Sequence, residues 1–101
     1  MIEKFQNDDS GYLAWVQSNP SGFVVNIDEP NTTSTYPMVH AATHRAISSG
    51  LRENYTTGRY FKVCSNSLTD LEKWAMENYR RPLVRCKACS PKLARASVKR
   101  V

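Results

Sequence analysis

The sequence holds no apolar run near the roughly 18 residues needed to cross a bilayer, which excludes a membrane-spanning helix. Its first ten residues, MIEKFQNDDS, carry acids where a secretory signal carries a basic head and an apolar run, so we expect a cytosolic protein. Disulfides are rare there, and the three cysteines point to other uses. Glycine is scarce too. Gly11, Gly22, Gly50 and Gly58 are scattered, so there is no glycine-rich loop to cradle a phosphate. No repeat or low-complexity segment interrupts the 101 residues, and a chain of that length has room for one domain with a modest core.

Acidic residues are missing from one end altogether. Residues 1–79 hold six Lys or Arg against nine Asp or Glu, whereas residues 80–101 hold eight Lys or Arg and no acid. Such a local excess attracts polyanions, and Arg80, Arg81, Arg85, Lys87, Lys92 and Arg95 are the candidate phosphate contacts. Contacts of this kind position a protein on nucleic acid without reading its sequence. Six neutralised phosphates would give a log–log salt slope of about −5 on duplex DNA. A basic run can also serve only as a solvated tail.

Local patterns give an α+β domain. GFVVNID, bounded by Pro20 and Pro30, reads as a buried strand, and SGYLAWVQSN allows a short helix or turn after Ser10. YPMVHAATHRAISS begins extended and is expected to turn helical at its two alanines. RYFKVCS alternates Tyr60, Lys62 and Cys64 with Phe61 and Val63, as a strand covered on both faces does. The main helix spans about residues 67–80. Ser67 and Asp70 make a variant capping box, Leu68, Leu71, Ala75 and Tyr79 form a stripe with Trp74 beside it, and Pro82 stops the helix. PLVRC then returns as a strand toward Cys86. The expected product is a short antiparallel sheet with one main helix, a single domain over residues 1–91 and a basic tail over 92–101.

Cys86 and Cys89 stand at C-x-x-C spacing, a tight turn that aims two sulfurs at one point. Thioredoxin-like redox chemistry expects that motif at a helix start, but here Pro91 and a basic tail follow. The only two histidines, His40 and His44, are four residues apart, a spacing that shares one face of a helical turn. Together the four make an N₂S₂ set, the composition of a closed structural zinc site. Two thiolates neutralise the dication, and four ligands leave no coordination position for a catalytic water. Cys64 reads as a small buried side chain, with zinc ligation and nucleophilic attack as its other uses. Asp28 and Glu29 could act as a general acid/base pair, but a solvated loop next to Pro30 is their expected setting.

The stretch from YPMVHAATHRAISS through GRYFKVCSNSLTDLEKWAMENYRRPLVRCKACSP resembles the metal-binding domain of Ada-type DNA alkylation repair proteins. That family has an early ligand pair spaced by three, a strand, a helix and then R-P-C-K-x-C-x-P, to which VRCKACSP is similar. The chain also resembles small uncharacterised domains attached to restriction-type endonucleases, with GFVVN before the histidine and KVCS before the helix. The likeness covers about residues 22–91 and is specific at the C-x-x-C ending. It implies a DNA-facing zinc scaffold. Methyl-acceptor chemistry is not implied, because the Ada-type site uses four cysteines and His40 and His44 replace the first pair.

Two functions follow as expectations: a non-catalytic zinc-stabilised module that binds DNA, or a protein-interaction regulator or inhibitor, of mobile-element type, that docks an acidic or nuclease partner. Tyr12, Trp15, Tyr36, Tyr55 and Trp74 are the aromatic anchors available to the second, with core packing as their competing fate.

Overall fold

The computed structural model describes residues 2–28, 37–43, 56 and 60–87, apart from the side chains of Asp28 and Tyr60. Within them β1 (Glu3–Phe5), α1 (Asp9–Ser18), β2 (Phe23–Asp28), β3 (Met38–Ala41), β4 (Tyr60–Ser65), α2 (Leu68–Tyr79) and β5 (Val84–Arg85) follow one another. This is the α+β class that the local patterns imply.

Each helix starts where a side chain satisfies an orphan amide. The Asp8 carboxylate accepts the Gly11 N–H at 2.9 Å, and the Ser67 hydroxyl accepts the Asp70 N–H at 3.2 Å. The α1 cap is therefore Asp8, two residues before the expected Ser10. A second tie holds this end. The Asp9 carboxylate accepts both the N–H and the hydroxyl of buried Thr56 at 2.7 Å, while the Asp8 N–H donates to the Thr56 hydroxyl at 2.8 Å. At the far end of α1 the chain turns under Trp15, and Gly22 is required there. A Cβ at that position would lie 2.6 Å from the Trp15 ring and 3.1 Å from the Asn19 carbonyl oxygen.

The five strands form one sheet in the order β1-β4-β2-β3-β5. Three pairings are antiparallel, and β2 runs beside β4 for its whole length, from Phe23 opposite Ser65 to Asp28 opposite Tyr60. One pairing differs. β3 and β5 are parallel, with Met38 opposite Val84 and Val39 opposite Arg85. Parallel neighbours need a long crossover, and α2 is part of the chain that makes it.

Strand alternation divides the sheet into two faces. Phe23, Val25, Ile27, Val39, Phe61 and Val63 pack with Leu68 and Leu71 of α2. On the other face Val24 and Cys64 pack with Tyr12 and Val16 of α1. At about 25 cal/mol per Å² of apolar area, both layers add to stability. No helix among the described residues is long and apolar enough to cross a membrane.

Candidate metal centre

His40 lies within β3 and is 8% exposed. The helical turn expected at the two alanines is absent here, since Ala41 ends the strand and Ala42 and Thr43 form a turn. The physical reason is pairing: His40 sits opposite Val24 of β2, and a laddered residue keeps extended geometry. His40 itself is therefore on a strand and not on a helical turn, and His44 lies outside the described residues.

Cys86 is buried directly after β5, where its N–H donates to the Val39 carbonyl at 3.1 Å. The parallel ladder thus brings the backbone of Cys86 to the level of His40. Their side chains enter different layers. Opposite Val24, His40 takes the α1 face, whereas Cys86 packs with the α2-side cluster. Cys86 falls one residue beyond the last paired position, so the ladder does not dictate its direction. Cys89, like His44, is outside the described residues. Among those described, no group of three or more His, Cys, Asp or Glu is placed to hold a metal ion, and only two of the four expected ligands are among them.

Cys64 has a different setting. Val24 is the register partner of both Cys64 and His40, so two strand spacings of about 4.8 Å separate these residues, with buried Val24 between. Burial pushes the Cys64 thiol up from an ordinary 9.0 to about 12, against a smaller downward pull from Lys62 and with a further push from Glu3. With no metal bound the thiol is protonated at neutral pH, which disfavours nucleophilic attack.

Lys62 is the residue that sequence reasoning passed over. Only 4% exposed, it donates from Nζ to Asn26 Oδ1 at 2.8 Å, with Nζ 5.7 Å from the centre of the Tyr12 ring. The signal was available in the alternation, which put a lysine in register with Cys64 on a strand covered on both faces. Tyr12 is itself fully buried, a core residue rather than an exposed anchor. Trp15 and Trp74 are half-buried against the two clusters, and Tyr36 and Tyr55 are outside the described residues. Asp28 belongs to the end of β2 rather than to a loop, opposite Tyr60.

Four of the six candidate phosphate contacts are described. Arg80 caps α2 and is exposed, Arg81 is half-buried, and Lys87 is exposed beyond β5. Arg85 is engaged with Glu72 of α2, its Nη2 2.7 Å from Glu72 Oε2. Both side chains are about 40% exposed, so this pair ties β5 to α2 with only about 0–1 kcal/mol. Lys92 and Arg95 lie outside the described residues. Comparison with family models, with curated proteins and with solved structures finds no match for this chain.

Proposed function

We propose that this chain is a non-catalytic, zinc-stabilised module of the cytosol that binds nucleic acid, DNA in the first instance, through the phosphates facing its basic C-terminal segment. The observation that carries the reading is the parallel β3–β5 pairing. It draws together the segments that contain H-x-x-x-H and C-x-x-C, which are remote in sequence. His40, His44, Cys86 and Cys89 would hold the ion. Zinc at such a site supplies cross-linking, on the order of 10–16 kcal/mol in small zinc peptides. The chain's own part is to lay the backbones at His40 and Cys86 side by side through the β3–β5 ladder, with the four ligands joined by the turn of one side chain toward the other layer, and to supply the cations of residues 80–101. The protein-partner reading has less support, because Tyr12 is interior and both tryptophans are packed.

Two measurements test the proposal. Metal analysis of the purified chain is expected to return one zinc per molecule, lost in His40→Ala and Cys86→Ser, and verified removal by a strong chelator is expected to abolish the melting transition. A melting curve unchanged after removal overturns the zinc reading. A mobility-shift titration of duplex DNA at several salt concentrations is expected to show a log–log slope of about −5, at about 0.9 per phosphate. An affinity indifferent to salt overturns the nucleic-acid reading.

A further inference from the structure

Two non-glycine residues among those described have a left-handed backbone, Asn7 and Arg80, both with φ of 57°. Asparagine enters this region readily, because its short amide side chain hydrogen-bonds locally. Arginine has no such compensation. At the end of α2, Arg80 has φ 57° and ψ 36°, and its N–H donates to the Met76 carbonyl at 3.0 Å. This is the helix-ending geometry in which glycine predominates, since a Cβ crowds the neighbouring carbonyl. The fold asks for glycine and the sequence supplies a cation.

The side chain shows what the cation is not used for. It is exposed, and it makes no ion pair or side-chain hydrogen bond among the described residues, in contrast to Arg85, which is held by Glu72 at 2.7 Å. Arg80 is also the first residue of the acid-free segment, at the junction where α2 hands the chain on toward β5. We infer that Arg80 is a direct phosphate contact, kept in a strained cap position because its guanidinium binds the phosphodiester backbone of nucleic acid. This rests on the nucleic-acid reading above. A purely structural role has a definite form as well: a cation at a helix C-terminus favours the helix dipole, and its loss would then lower stability.

The test compares Arg80→Gly and Arg80→Lys with the parent, each as the full chain, by thermal melting and by mobility shift with a short duplex DNA at several salt concentrations. Arg80→Gly is expected to melt a few degrees higher, because glycine takes the left-handed cap without strain, yet to bind DNA severalfold more weakly with a salt slope shallower by about one. Arg80→Lys keeps the charge and is expected to retain the parent slope. A melting temperature that fails to rise in Arg80→Gly, or equal slopes for the glycine and lysine variants, overturns the inference. If the parent chain shifts no DNA at any salt concentration, the nucleic-acid reading falls and takes this assignment with it. A parent that binds with an unaltered glycine variant defeats the Arg80 assignment alone.

Discussion

The two faces of the sheet are built from different chemistry. Beneath α2 lie aromatic and branched aliphatic side chains, with Leu71 fully buried among them. Beneath α1 the register rows place Cys64, Val24 and His40 side by side, with Lys62 and Asn26 in the next row and Tyr12 packed against them. The first face is held mainly by apolar contact. On the second, protons and hydrogen bonds decide how well burial is tolerated, since a buried polar group without its partner is costly. One face supplies cohesion, and the other carries the groups through which solution conditions act on it.

Leu71→Ala puts the largest strain on this contrast. Removing a fully buried leucine from the α2 side is expected to lower unfolding stability by about 2–5 kcal/mol, read from the denaturant midpoint. A loss under about 1 kcal/mol would mean that α2 is not the element that closes the core.

A smaller effect separates the faces by pH. In the folded chain the Cys64 thiol holds its proton up to about pH 12, against an ordinary 9.0. Between those values the native state binds more protons than the unfolded one, so stability falls as pH rises, by about 1.4 kcal/mol per unit. Below that window the contribution is fully present. Cys64→Ala is expected to be flatter than the parent over the same range by that amount, in denaturant melts taken at stepped pH. Parallel curves for parent and variant would show that the α1 side admits water and hydroxide at Cys64.

Much of this was legible in the residues, and the parts that were not have physical causes. Ser67, the Leu68–Leu71–Ala75 stripe and Pro82 announced α2 to within a residue at each end, since capping and periodicity are local. β2 and β4 were legible for the same reason. α1 gave a weaker signal because it buries only Tyr12 and Val16, too narrow a stripe to stand out, and because its cap is the second of four consecutive polar residues, Asn7 to Ser10, that suit the role. β3 was legible only as an extended start. Its helix-favouring alanines are overruled by the ladder with Val24 and Phe23, an interaction with residues remote in sequence. For the candidate metal centre, ligand types and spacing could be read directly, while the relation of His40 to Cys86 and to Cys64 could not.

The sequence by itself determined the local elements, the charge divide at residue 80 and the identity of the four candidate ligands, because each depends on side chains within a few positions of one another. Only the tertiary structure decided that β5 lies parallel to β3, which brings Cys86 to the level of His40, and that Val24 parts His40 from Cys64. Strand order arises from the competition of whole surfaces for burial, and no short stretch of sequence carries a record of which edge its partner will take.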